Sequence, residues 1–272
     1  MNTHLLRLVC LAALCLASAP FTHAADLRRP NIVLILSDDQ GWTDYGFMGH
    51  PVIRTPHLDK LAARSALFTR GYVPSALCRP SLATLATGLY AHQHKISGND
   101  PSHALAPPNS PRYAELREQL ISHLDRHPTL PKLLAEQGYL SHQSGKWWEG
   151  SYQRGGFTHG MTRGFPSPGG RHGDAGLKIG REGLQPIFDF VHHAVAEKKP
   201  FFLWYAPLMP HDPHTPPERL LAKYRAKVAS LHVAEYYAMC EWFDETCGPL
   251  IDFIDQEGLT PNPLFVYLAA NG

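Results

Sequence analysis

Residues 32–36, Ile-Val-Leu-Ile-Leu, constrain the fold more than any other stretch of the chain. A continuous apolar run rich in β-branched side chains, with no polar residue at every second position, suits a strand covered on both faces. Such strands belong to parallel sheets with helices above and below. With 272 residues, 44% of them apolar, the chain can supply those layers. Residues 66–73, 139–144, 201–205 and 264–268 read as further strands. Thr55-Pro56 opens a helix with a capping threonine and a proline at the first helical position. Helices are also predicted over about 80–87, from Thr129 to Gly138, over 183–197 and over 231–256. In the last, Gly248-Pro249 threatens a kink, and Asp244 falls on the apolar stripe, where a carboxylate needs a partner. Residues 98–128 read as a surface insertion and 149–181 as a long irregular loop. Strands alternating with helices give an α/β fold, a central mostly parallel sheet sandwiched by helices.

The first 24 residues stand apart. Arg7, an apolar run and the exit Thr22-His23-Ala24 form a secretory signal peptide. The chain is therefore expected to be exported, to the periplasm or outside the cell, with no membrane attachment after cleavage. Cys10 and Cys15 leave with the leader. Cys78, Cys240 and Cys247 remain, an odd number, so at least one thiol is expected unpaired. Cys240 and Cys247 sit two helical turns apart, roughly 10 Å, beyond disulfide reach. The formal charge is +1, which offers no broad basic field for a nucleic-acid partner.

In open α/β sheets the polar residues just past strand carboxyl ends build the site. Here these are Asp38, Asp39, Lys146, His211 and Asn271. Adjacent carboxylates such as Asp38-Asp39 repel unless a hard cation takes their oxygens; the same pair also suits a turn with one capping Asp. Cys78 precedes a proline-initiated helix, a position that lowers a thiol pKa; a buried structural cysteine is the plainer reading. His211 and His214 lie in a proline-stiffened loop that serves acid–base work or ligation, or simply solvates two imidazoles.

In order, Pro30 to Gly41, Thr55 to Asp59, Cys78 to Gly88, Gly145-Lys146-Trp147, Pro210 to His214 and Asn271-Gly272 resemble the motifs of the sulfatases of the alkaline-phosphatase superfamily. The resemblance covers residues 29–272. It implies that Cys78 is oxidised after translation to formylglycine (3-oxoalanine) by a maturation enzyme. One hydroxyl of the hydrated aldehyde attacks the sulfur of a sulfate ester, and the other then expels sulfate. The resemblance further implies that Asp38, Asp39, Cys78 in its oxidised form and Asn271 hold a Ca2+ ion acting as Lewis acid. Lys146 would bind a sulfate oxygen and His211 would bind sulfate or protonate the leaving oxygen, with His214 as a weaker substrate ligand. The basic glycine-rich loop 149–181 would form an anion-friendly rim, or only solvated charge. Residues 25–272 would be an N-terminal catalytic domain whose C-terminal subdomain is missing from this chain.

Three positions depart from the family pattern. Leu82 stands where the cysteine motif usually ends in Arg, and Arg79 is a partial substitute for that charge. Trp148 stands where a His usually assists sulfate release; there an aromatic ring would instead stack on a sugar. Ala270 stands where a third metal carboxylate is usual. The leading reading is a sulfatase acting on a sulfated small molecule or polysaccharide. The alternatives are a phosphodiesterase or phosphonate hydrolase of the same superfamily, and an inactive sulfatase-like binding protein.

Overall fold

The protein was analysed as a computed structural model, which describes residues 29–164, 172–256 and 263–271. The leader at 1–24 and Arg171 lie outside the described residues. Five strands, β1 (Ile32–Ser37), β2 (Leu140–Gly145), β3 (His159–Gly160), β4 (Phe201–Ala206) and β5 (Leu264–Ala269), form one sheet in the order β3-β2-β4-β1-β5. Every pairing is parallel. The helices are α1 (Pro56–Ala63), α2 (Cys78–Thr87), α3 (Ala91–His94), α4 (Pro111–Ser122), α5 (Leu130–Glu136), α6 (Gln185–Ala196), α7 (Glu218–Arg225) and α8 (Leu231–Gln256).

The apolar runs are continuous because both faces of the sheet are covered. Val33 and Ile35 of β1, with Phe201, Leu203 and Tyr205 of β4, pack against α1, α6 and α8. The intervening residues Leu34, Leu36, Phe202 and Trp204 pack on the other face against α2 and Trp147. Side chains alternate across a strand, so each strand feeds two cores. Each large side chain buried this way contributes about 1.5–3 kcal/mol. Helix α8 runs unbroken through Pro249. Gly248 leaves room there for the His57 ring of α1, into which a Cβ would project. Cys78, Cys240 and Cys247 are buried free thiols. No described helix is long and apolar enough to cross a membrane.

Two expectations fail. Residues 66–73 form no strand: Phe68 and Tyr72 are 82% and 89% exposed. Strand propensity becomes a strand only where a ladder partner exists, and β4 and β5 already occupy both edges of β1. Residues 98–128 are not merely a surface insertion. They contain α4, whose Tyr113, Arg117 and Ile121 are buried, and Leu124 behind it is fully covered.

Asp244 finds its partner at the start of α1, where its carboxylate accepts the backbone N–H groups of His57 (3.2 Å) and Leu58 (2.8 Å). It caps from outside the helix the orphan donors of the first turn. Burial still dominates and pushes this carboxyl up to about 7, against the pull of those two donors. The folded state therefore holds the Asp244 proton more tightly than the unfolded chain, whose Asp titrates near about 4. Its contribution is full below about pH 4 and declines as pH rises toward 7. In Asp244→Asn, which keeps one acceptor and loses the charge, thermal unfolding from pH 5 to 8 should fall less steeply than in the wild type. Parallel pH profiles would rule this out.

Candidate functional site

Four strand ends deliver the polar residues to one mouth of the sheet. Asp38 and Asp39 follow β1, Lys146 follows β2, His211 follows β4 and Asn271 follows β5. The register is tight at Lys146. Gly145 adopts φ +85°, and a Cβ there would overlap the Ala206 carbonyl, so β2 can turn only at glycine. The Lys146 N–H then donates to that carbonyl at 2.7 Å. The His211 loop is tied to β1 by the Asp38 N–H, which donates to Met209 O at 3.0 Å. Asp39 sits at φ 60°, the left-handed region that aspartate tolerates better than most residues.

Cys78 is the first residue of α2, and its side chain enters the same mouth. Donor atoms of Asp38, Asp39, Cys78 and His211 all lie within 4.8 Å of one another. Lys146 Nζ is 2.7 Å from Asp38 Oδ2, and His211 Nε2 is 3.3 Å from Asp39 Oδ2. The Asn271 amide donates to Asp39 Oδ1 and, at 3.4 Å, to Cys78 Sγ. Asp38 Oδ1 and Asn271 Oδ1 are buried oxygen acceptors with no hydrogen-bond partner. Carboxylate and amide oxygens left without donors fit a hard divalent cation such as Ca2+. Asp38, Asp39 and Asn271 supply the oxygen, and His211 stands beside them.

Electrostatics inside this mouth is severe. Burial pushes the Asp38 carboxyl up, and Lys146 and His211 only partly offset it. Burial works against the Lys146 ammonium, but Asp38 and Cys78 overcome it and raise its pKa. The Cys78 thiol is pushed up, first by burial and then by Asp38. The helix start therefore does not activate it as the sequence suggested, because a buried carboxylate opposes the thiolate.

Other expected residues are placed differently. His214 lies outside the convergence, packed on Tyr236 with ring centroids 5.7 Å apart. Arg79 does not stand in for the arginine absent at position 82. Its guanidinium is fully buried and holds Glu149 in two bonds of 2.6 and 2.7 Å. Trp148 is 3% exposed, with Arg117 on its ring at 5.5 Å and Lys146 at 5.9 Å, so it offers no face to a sugar. Most of the described basic side chains of loop 149–181 are engaged within the fold, with Arg163 exposed. Arg154 pairs with Glu118 and Asp125, Lys178 with Glu182, and Arg181 bonds Thr215 and the Leu208 carbonyl.

The charges the sequence reading missed are Glu149 and Arg117. They form a second buried layer behind Lys146, with burial and Arg79 drawing the Arg117 pKa down to about 10. Glu149 lies 70 positions from its partner Arg79, and no spacing signal links them. Leu82 and Ala270, two of the three departures, line one void of about 10 Å3 beside the Asp38–Lys146 pair. It is barely the size of a water.

Residues 30–272 match the family described as Sulfatase. The N-acetylgalactosamine-6-sulfatase of Canis lupus familiaris is 28% identical over 292 residues, covering 95% of this chain and 53% of the relative. Arylsulfatase A of Homo sapiens is 41% identical over 130 residues, 48% of this chain and 23% of the relative. The chain thus spans about half the length of the N-acetylgalactosamine-6-sulfatases it matches. Among solved structures, Ps i-CgsB superposes with TM-score 0.69 at 26% identity, covering 90% of this chain and 59% of that one, and was also solved in complex with k-i-k-neocarrahexaose. The phosphonate monoester hydrolase of Agrobacterium radiobacter shares the fold at TM-score 0.62 and 18% identity, covering 89% and 62% of the two chains.

The Asp38–Lys146 pair yields a stability test. Removing one partner of a buried pair costs about 3–5 kcal/mol because the other charge is left alone. In chelator-treated protein, Lys146→Met should lose stability on that scale in denaturant unfolding. The double variant Asp38→Asn/Lys146→Met should recover part of the loss. A double variant no better than the single one would show that the charge pair is not the cause.

Proposed function

Because the chain belongs to the sulfatase family, we propose that the protein hydrolyses sulfate esters, with sulfated carbohydrate as the substrate class. The observation that carries this reading is the convergence of Asp38, Asp39, Cys78 and His211 at one mouth, with Lys146 and Asn271 touching the same atoms. The neocarrahexaose bound by Ps i-CgsB supports the carbohydrate class. Formylglycine made from Cys78 would supply a hydrated aldehyde as nucleophile, and Ca2+ held by Asp38, Asp39 and Asn271 would supply Lewis acidity toward sulfate oxygens.

The remaining work falls to this chain's own side chains. Lys146, kept charged by Asp38, provides positive charge where a tetrahedral anion gains negative charge. His211 holds its Nε2 toward Asp39 and its Nδ1 toward Asp212 at 2.8 Å. An imidazole held between two carboxylates is oriented, which suits proton delivery to a leaving oxygen. The dry surroundings of Lys146 and Asp38 strengthen both effects. The basic leader supports export, to the periplasm or outside the cell, where the polysaccharide and the enzyme would meet.

Two measurements test the reading. Mass spectrometry of the Cys78 peptide, from cells supplying a formylglycine-generating enzyme, should show the aldehyde. The matured protein should then cleave an aryl sulfate faster than the matching phosphate ester. An unmodified Cys78 leaves only the binding-protein reading, and a preference for phosphate or phosphonate selects the other hydrolase. The site also holds two metal carboxylates instead of three. Ala270→Asp should raise Ca2+ affinity roughly tenfold or more, since affinity follows ligand charge count. In chelator the same variant should melt lower, because the new carboxylate faces Asp38 without a cation. Calorimetry showing unchanged Ca2+ binding would count against Ala270 as the missing ligand position.

A further inference from the structure

Away from the strand ends, a hollow of about 370 Å3 opens where β2, β3 and α6 meet. It is lined by His142, Tyr152, His159, Pro186, Asp189 and His193, with Phe190 behind. His142 and His159 are direct partners in the β2–β3 register, so both imidazoles project from the same sheet face onto Phe190, at 5.1 and 5.2 Å between centroids. Asp189 and His193 stand four residues apart on α6, neighbours on one helical face.

Three observations indicate a ligand for this cluster. First, His159 is held by its Nδ1, which lies 2.9 Å from the Thr158 hydroxyl, itself tied to the Ser141 backbone at 2.7 and 2.8 Å. Nε2 is the ring nitrogen away from that contact, the arrangement that orients a metal-binding imidazole. Second, His142 is 5% exposed and its Nδ1 has no hydrogen-bond partner. Third, the spacing of His159 and His193 suits a shared ion. A metal–nitrogen bond of about 2.05 Å and about 1.1 Å from nitrogen to ring centre place each centroid about 3.2 Å from the metal. A tetrahedral angle then separates the centroids by about 5.2 Å. The observed separation is 5.1 Å, with the rings inclined at 59°.

We propose that this hollow is a second metal site, binding a divalent ion of the zinc class through His159, His193 and Asp189, with His142 facing the ion from the floor. Imidazole donors select zinc, copper or nickel over calcium, so the two sites sort metals by donor hardness. Among the described residues, the group whose donor atoms already converge within 4.8 Å is the one at Asp38. Here the exposed side chains of Asp189 and His193 close onto the ion as it binds, and Gln185, which donates to Asp189 Oδ1 at 2.8 Å, steadies the carboxylate. The inference is independent of sulfate-ester cleavage.

The test is zinc binding by the whole chain, in excess Ca2+, on a Cys78→Ala/His211→Ala background that removes the soft donors of the first site. One equivalent of zinc should remain by calorimetry. Cobalt in its place should give the intense visible absorption of tetrahedral coordination. Adding His159→Ala and His193→Ala should weaken zinc at least tenfold and abolish the cobalt spectrum, while His92→Ala, in an exposed helix, changes neither. Asp189→Asn, on the exposed face of α6, gives a second reading that leaves β3 untouched and should weaken zinc severalfold. A background that binds no zinc, or binding indifferent to both the histidine pair and Asp189, overturns the proposal.

Discussion

The arrangement at the mouth of the sheet depends on one buried carboxylate. Asp38 follows directly on a strand covered on both faces, so its charge cannot reach bulk water. Burial of an unpaired ion costs several kcal/mol, and the chain answers with Lys146 from the neighbouring region of the sheet. That answer fixes much else. Lys146 must be delivered by a turn that only Gly145 permits. It is also buried, with its ammonium over the Trp148 ring. Even so, burial keeps the Asp38 pKa raised, so one ammonium does not fully compensate the carboxylate. A site built this way favours added positive charge.

The parts of this design legible in the sequence were those written in short-range chemistry. The apolar run at 32–36 announced a strand buried on two faces, and burial on two faces forces polar groups to the strand ends. Asp38, Asp39, Lys146, His211 and Asn271 could be named for that reason alone. The helix at Thr55-Pro56 was legible from its proline, although Thr55 makes no side-chain cap and donates its hydroxyl to Asp59 instead; Asp244 was legible from its position on an apolar stripe. The partner of Asp244 was not. It is a pair of backbone donors on α1, more than 180 residues away in sequence. The Arg79–Glu149 pair escaped for the same reason. Long-range pairing of buried charges leaves no periodic trace.

The failed strand at 66–73 carries a related lesson. Its apolar and aromatic content was real, but strand formation is a property of pairs. The segment at 98–128 failed in the opposite direction. Proline and polar residues suggested surface, whereas Arg117 within it is buried by pairing with Asp100 and by stacking on Trp148. Composition registers polarity, not whether the polarity is satisfied inside.

Leu82 and Ala270 gain meaning from lying against each other. Read separately along the sequence, each is a lost charged group. In the fold they line the same void, of about 10 Å3, beside Asp38 and Lys146, and Ser81 next to Leu82 donates to the Ala270 carbonyl. A cationic side chain at 82 without a carboxylate at 270, or the reverse, would place one uncompensated charge in that dry space. An apolar pair closes it with no charge to satisfy. Leu82 and Ala270 are therefore better understood together, as one apolar wall of that void. The consequence is local: one side of the mouth carries the oxygens of Asp38, Asp39 and Asn271, while the face toward Leu82 is hydrophobic wall. On the other side the mouth is closed by the Trp148 ring, with Lys146 and Arg117 over it. The ammonium at the mouth is then that of Lys146, 2.7 Å from Asp38 Oδ2, with the His211 imidazole across from it on Asp39.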